Sequence, residues 1–479
     1  MTYTDFIALL PLLITGYAGA LVMAIVAFWR SNTAAFILTL ITFAAAFASV
    51  FFALSYAPRA VTPLIEIDRF SLFFTGLILF GAFLITLLCP SYLKTHEKRS
   101  EAFYVLLMMA VLGMISIAVS SHFVSFFLGL ETVSVSLYGL IGYTRNYRLS
   151  IEGAVKYLVL AASSSAFLLF GIALIYSDFG TMDFRQLAPL MTGGDLSLIS
   201  LLGTALILVG FGFKLALAPF HMWSPDVYQG APAPVTALIA TGSKGAVFAL
   251  LLRFITIGDL TANSTLFLVI SVLAIATMFV GNLLALLQRN VKRLLAYSSI
   301  AQIGYMLIPL LAGGALGPSS IAFYLTSYFA TTIAAFGVIA VISASRAMGD
   351  VEELEDYRGL ALSHPILAAI LSLALLSLTG IPLTSGFIAK FYIFSAAAQA
   401  GLWGLLIIGV INSGISAFYY LRVLVAMYTR SITEPEPLPT ARPASAIALA
   451  LSTAIIFIFG IYPVPLIRLA EAATRRLGF

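Results

Sequence analysis

Three lysines, Lys214, Lys244 and Lys390, lie deep inside long apolar stretches, and Glu131 does the same in another. The chain has seven lysines, whereas its eighteen arginines fall almost entirely at or near the ends of apolar runs. Arginine stays protonated in proteins, while a buried lysine readily becomes able to exchange its proton. A charge at bilayer depth costs about 3 kcal/mol even on lenient insertion scales, so four such groups ask for on the order of 10 kcal/mol of tolerance. A chain that accepts this in titratable groups is expected to handle protons or small cations.

Of twenty carboxylates, Glu131 alone is mid-span, in FFLGLETVSVSLYGLIGY. Desolvation disfavours a carboxylate and a nearby ammonium restores it. Lys214, in VGFGFKLALAPFHMW, is the expected ion-pair partner. The alternative is a static pair holding two helices, although buried pairs are often no more stable than apolar substitutes. Lys244 is flanked by Gly242, Ser243 and Gly245, which permit close helix approach and room for water. It is too far from either end of its run to snorkel. Lys390 follows an interrupted segment and is similarly deep. Lys156 lies four residues after Glu152 near the start of a run, where a local ion pair or snorkelling competes with a place on a proton path. His221, in PFHMW, titrates near neutral pH if solvated, with an interfacial structural role as the alternative. His122 reads as interfacial, and Arg422 as a snorkelling residue without a role.

The elements that must position these groups are membrane helices. Hydrophobic residues make up 61% of the 479 and charged ones 9%, against about 25% charged in an ordinary soluble domain. The fold class expected is an all-α polytopic membrane protein. Windows of about twenty apolar residues give fourteen spans: 3–29, 34–55, 70–90, 102–119, 122–142, 153–177, 197–221, 233–253, 264–286, 294–312, 320–344, 365–396, 401–428 and 444–467. The first lacks a basic leader and a cleavage site, so it is expected to be retained. The single cysteine, Cys89, excludes disulfides, iron–sulfur clusters and thiolate metal sites within the chain. The four histidines show no metal-ligand spacing. The net charge of +5 comes from loop residues and reports orientation, not nucleic-acid binding.

Odd-numbered connections carry thirteen basic residues (Arg30, Lys94, Lys98, Arg99, Arg145, Arg148, Arg289, Lys292, Arg293, Arg346, Arg358, Arg430 and Arg442), and even-numbered ones carry four (Arg59, Arg69, Arg185 and Arg253). The positive-inside rule puts the odd connections in the cytoplasm; Arg468, Arg475 and Arg476 in the tail argue mildly the other way. The acidic run Asp350, Glu352, Glu353, Glu355 and Asp356 reads as a solvated loop, with a partner contact as the second reading.

Two spans are interrupted. Pro219 follows Lys214, and Gly380, Pro382 and Gly386 precede Lys390. Proline removes a backbone bond and opens a helix, and Gly/Pro-interrupted spans in corresponding positions mark an inverted-repeat transporter. The expected organisation is a three-helix segment (1–100), two five-helix repeats (101–256 and 257–430) and a C-terminal helix (431–479). No phosphate loop, dinucleotide fingerprint, haem motif or nucleophile elbow appears in a suitable context, so redox energy must enter through a partner.

FGFKLALAPFHMWSPDVYQGAPAPVTALIATGSKGAVFALLLR (211–253) resembles the signature of the antiporter-like subunits of proton-pumping NADH:quinone oxidoreductase, respiratory complex I. QRNVKRLLAYSSIAQIGYM (288–306), TGIPLTSGFIAKFYIF (379–394) and LGLETVSVSLYGLI around Glu131 fit the same family, and PDVYQGAPAPV (225–235) sets the chain apart from sister subunits L and M. The resemblance implies fourteen helices with broken seventh and twelfth members. It also implies a Glu131–Lys214 ion pair, a central Lys244, an exit residue Lys390 and an additional sixth-helix lysine at Lys156. Gln302 stands where some relatives carry histidine, and the end of the chain leaves no room for the long lateral helix of subunit L. The family's activity is that of a proton translocase. NADH, FMN, iron–sulfur clusters and quinone belong to partner subunits, with no cofactor in this chain. Flanking subunits K and M and membrane lipid are the expected partners, in a bacterial inner membrane. The residues alone leave a stand-alone or Mrp-type cation/proton antiporter and a non-transporting scaffold open.

Overall fold

The structure is a computed structural model that describes residues 2–192, 196–258, 260–346, 349–430 and 443–475. Among these residues, thirteen helices are long and apolar enough to cross a membrane. The first are α1 (Leu10–Phe28), α2 (Asn32–Leu54), α3 (Arg69–His96), α4 (Glu101–Ala118), α5 (Phe123–Ile141), α6 (Arg148–Phe179) and α7 (Leu198–Leu215). A short α8 (Trp223–Gly230) follows, then α9 (Ala233–Ile257), α10 (Ser264–Leu286), α11 (Val291–Ala312) and α12 (Leu316–Ser343). The twelfth expected span is two half-helices, α13 (Pro365–Thr379) and α14 (Ser385–Gln399). The order closes with α15 (Trp403–Tyr428), α16 (Pro443–Ile461) and a surface helix α17 (Val464–Thr474). Each of the fourteen expected spans coincides with a helix or a helix pair. The abutting fourth and fifth spans separate at Val119–His122 as expected, and His122 Nδ1 caps α5 by accepting from Val124 N.

Local chemistry sets these boundaries. Asp68 accepts from Ser71 N at 2.7 Å to start α3, and Asn290 accepts from Arg293 N at 3.0 Å to start α11. Both breaks turn through left-handed backbone: α7 stops where Ala216 takes φ 58°, and α13 stops where Gly380 takes φ 89°. Irregular backbone at membrane depth must find partners within the protein. Across the first break, Ala218 N donates to Thr277 Oγ1 at 3.0 Å, and Trp223 Nε1 donates to Phe213 O at 2.8 Å.

Helices α9, α11 and α12 are buried almost throughout and form the centre, while α1 and α2 lie at the periphery with exposed apolar faces. Small residues bring neighbouring helices to backbone contact. A Cβ on Gly113 of α4 would lie 2.7 Å from Gly129 O on α5, and one on Gly281 of α10 would lie 2.6 Å from Ala301 N on α11. A two-stranded hairpin, β1 (Arg59–Thr62) and β2 (Ile65–Ile67), pairs Arg59 with Ile67 between α2 and α3.

Several charges assigned to solvated connections are buried instead. Lys292 is 1% exposed and donates to Gln229 O (2.9 Å), Ala231 O (2.7 Å) and Asp350 Oδ2 (2.5 Å). The acidic run is therefore docked at its start, contrary to the expected solvated loop. Glu352 accepts from Tyr147 Oη at 2.9 Å, and Leu354 N donates to Arg289 O at 2.9 Å, while Glu353, Glu355 and Asp356 remain exposed. The loop returns to the bundle because the C-terminal end of α8 leaves carbonyls that a cation can satisfy, and that cation needs a carboxylate. Arg253 is likewise buried, paired with Asp68 at 2.8 Å and Glu66 at 3.6 Å. Burial pushes the Glu66 carboxyl up, against the pull of Arg253. Arg422, partly exposed, reaches the end of α10, where it donates to Leu286 O and Gln288 O. Arg442 and Arg476 lie outside the described residues.

Candidate functional site: a polar axis through the apolar core

Each deep lysine is held by neutral oxygens. Lys214, in the last turn of α7 and 5% exposed, donates to Ser134 Oγ on α5 at 2.7 Å, with its ammonium 5.5 Å from the Tyr157 ring centroid. Lys244 is 1% exposed and donates to Ser299 Oγ on α11 at 2.7 Å. Lys390 donates to Thr379 O (2.9 Å) and Ser413 Oγ (2.9 Å), 5.0 Å from the Tyr305 ring centroid. Thr379 is the last residue of α13, so the Lys390 ammonium meets the negative end of a half-helix dipole.

Glu131 is half-buried on α5 and accepts from Ser165 Oγ on α6. Among the described residues no ion pair joins it to Lys214; Ser134, one turn along α5, takes the lysine instead. The expected pair is thus open, with each member parked on a serine. The close approach expected beside Lys244 is present: a Cβ on Gly242 would meet Met114 Sδ at 2.8 Å, and one on Gly245 would meet the Phe329 ring at 2.7 Å.

Lys156 leaves the axis. Partly exposed, it pairs with Glu152 and Asp226, each at 2.7 Å, and Arg293 Nη1 reaches the other oxygen of Asp226 at 2.6 Å. This network sits at the basic end and ties α6, α8 and α11 together. His221 lies in the break between α7 and α8, 7% exposed, and both ring nitrogens lack a partner among the described residues.

Between Lys244 and Lys390 the sequence reading left a gap that polar, uncharged residues fill. Gln302, 2% exposed, donates to Leu378 O at 3.1 Å and accepts from Tyr324 Oη. Tyr328 Oη donates to Ser299 Oγ at 2.8 Å, and Tyr228 lies 3.2 Å from the same oxygen. Tyr324, Ser327, Tyr328 and Thr331 recur along α12 at helical spacing and form one polar stripe. That periodicity was the available signal. Asp226 was likewise visible in PDVYQG but carried no distinctive spacing.

A bundle with two broken helices and titratable lysines along a buried polar axis defines the antiporter-like class of membrane subunits. Residues 120–416 match the family described as NADH:quinone oxidoreductase/Mrp antiporter, TM, and the chain belongs to that family. It is 43% identical over 483 residues to NADH-quinone oxidoreductase subunit N of Ectopseudomonas mendocina, covering 98% of this chain and 97% of that one. Among solved structures it resembles a chain of respiratory complex I from Thermus thermophilus (34% identity, TM-score 0.82, 96% of this chain and 99% of that one). It also resembles a chain of an archaeal membrane-bound sulfane sulfur reductase (26%, TM-score 0.86, 99% and 97%). A chain of the Mrp complex from Dietzia sp. shares the fold (23%, TM-score 0.84, 100% and 98%).

Proposed function

We propose that this chain is the subunit N of a respiratory complex I and moves protons across the membrane, driven by NADH oxidation and quinone reduction in other subunits. The observation that carries the reading is the row of three buried lysines on neutral acceptors, within a chain 43% identical to a subunit N along nearly its whole length. Protons enter from the basic, cytoplasmic end and load Lys244, which passes its proton to Lys390 for release on the other side. Approach and separation of Glu131 and Lys214 bias the transfer, since each pKa unit is about 1.4 kcal/mol. The first five-helix unit holds the Glu131–Lys214 switch, and the second holds the exit. Lys156 acts in the entrance network with Asp226, and His221, unpartnered in the helix break, is a stopping point for a proton or water. Subunits K and M flank the chain in a bacterial inner membrane, and redox cofactors reside in partner subunits.

Lys244→Met tests the reading in inside-out membrane vesicles. The assembled variant should keep NADH:ferricyanide activity, which reads the peripheral arm, and lose most proton uptake. Wild-type proton uptake per NADH would exclude the lysine relay.

A further inference from the structure

The step from Lys244 to Lys390 has a physical bridge that no charged residue supplies. Lys244 Nζ, Ser299 Oγ and Tyr328 Oη stand in one hydrogen-bonded row, at 2.7 and 2.8 Å. Tyr328 also lines a cavity of about 10 Å³ whose wall includes Gln302, Ser327, Thr331, Ser377 and Lys390. That volume holds about one water, and a buried water needs 2–4 polar partners, which this wall provides. The hydrogen-bonded row from Lys244 thus ends at a tyrosine that shares one small polar cavity with Lys390.

The location of Ser299 sharpens its role. Gly113 packs its Cα face against Gly129 and Val133 on α5; Gly281 does the same against Tyr297 and Ala301 on α11. Glu131 stands two residues beyond Gly129, and Ser299 stands two residues beyond Tyr297. The same place in the two helix pairs thus holds a carboxylate once and a hydroxyl once. A carboxylate beside an ammonium fixes its charge in a low-dielectric site. A hydroxyl accepts a proton on one side and gives one on the other, so it does not trap the charge on Lys244.

We propose that Ser299 and Tyr328 carry the proton from Lys244 to Lys390, with one water in the shared cavity as the last link. This rests on the lysine relay stated above. The Lys244 ammonium gives a proton to Ser299 Oγ as the serine hydroxyl proton passes to Tyr328 Oη. The tyrosine proton passes in turn to the water, and a water proton to the neutral amine of Lys390. Three N–H or O–H bonds that break are replaced by three that form at Ser299, Tyr328 and the water, and a fourth moves from Lys244 to Lys390. The net change is one proton transferred, with no other reactant. Ser299 accepts from both Lys244 and Tyr328 before transfer, so Tyr328 must turn its hydroxyl toward the cavity and Ser299 must turn its own toward Tyr328.

The test uses assembled complex in inside-out vesicles carrying Ser299→Ala, Tyr328→Phe or Ser299→Thr. Positioned proton-transfer groups contribute about 10²–10⁴-fold. Loss of either hydroxyl should lower the proton uptake rate by at least about tenfold and raise the solvent deuterium isotope effect, while Ser299→Thr keeps near-normal uptake. A purely structural role would reduce the amount of complex without moving the isotope effect. Should Ser299→Ala fail to assemble, Tyr328→Phe, which removes one oxygen, decides alone. Wild-type uptake and isotope effect in Tyr328→Phe, with uptake lost in Lys244→Met, would overturn the hydroxyl link and leave the relay standing. Normal uptake in Lys244→Met would remove both.

Discussion

Lys214, Lys244 and Lys390 each keep a neutral oxygen as their nearest acceptor, so none is locked by a counter-charge. That arrangement favours exchange over storage, because an adjacent carboxylate would stabilise the ammonium by several kcal/mol at low effective dielectric. Lys390, the proposed exit residue, also depends on one glycine. Gly380 takes φ 89°, and a Cβ there would lie 2.9 Å from Lys390 Cδ. Gly380→Ala adds about 1–2 kcal/mol of left-handed backbone strain and pushes the lysine stem off Thr379 O. Proton uptake should fall well below wild type while NADH:ferricyanide activity stays intact; unchanged uptake would show that the Lys390 position is not critical. At this scale the charged members of the axis were legible, because a lysine in an apolar run stands out. Ser299 was not, since hydroxyl residues are common in membrane helices and only its partners across the core distinguish it, and Tyr328 was marked only by the periodicity of the α12 stripe. The open Glu131–Lys214 pair could not be read either: it depends on which serine each side chain reaches.

Among the elements, the two broken helices were legible from Pro219, Gly380 and Pro382, because proline and left-handed backbone end helices wherever they occur. The docked loop was not, because its anchor is tertiary. Lys292 sits in a basic cluster that reads as a surface connection, yet it closes the carbonyls of Gln229 and Ala231 and pairs with Asp350 across 2.5 Å. Removing one member of such a pair leaves a buried charge uncompensated and costs about 3–5 kcal/mol, whereas replacing both with apolar residues is often neutral. Asp350→Leu should therefore lower the thermal stability of the subunit in the complex, and Lys292→Met with Asp350→Leu should recover part of the loss. Equal or additive losses in a thermal-shift series would show that the pair is not coupled. The ion-pair network proposed as the entrance is softer: Lys156, Glu152 and Asp226 are partly exposed, and exposed pairs contribute about 0–1 kcal/mol. Lys156→Met should leave stability nearly unchanged and slow uptake only modestly, in contrast to Lys244→Met.

For the whole molecule, the segregation of charge tells the same story as the packing. Arginines hold helix ends, as Arg253 does near the end of α9 with Asp68 and Glu66, while Lys244 on α9 and the hydroxyls of α11 and α12 lie buried in the centre. The class of fold and its fourteen-span order were legible from hydropathy alone, since apolar length is set by bilayer thickness. The polar axis was not, because it is assembled from residues on α5, α7, α9, α11, α12 and α14, far apart in sequence. The central claim is that Lys244 works by losing and regaining a proton, and not merely by being positive. Lys244→Arg separates the two, because arginine keeps a charge at that depth and does not release its proton. Protons taken up per NADH oxidised, measured in inside-out vesicles with assembled Lys244→Arg complex, should fall as far as in Lys244→Met; a wild-type ratio would contradict the relay.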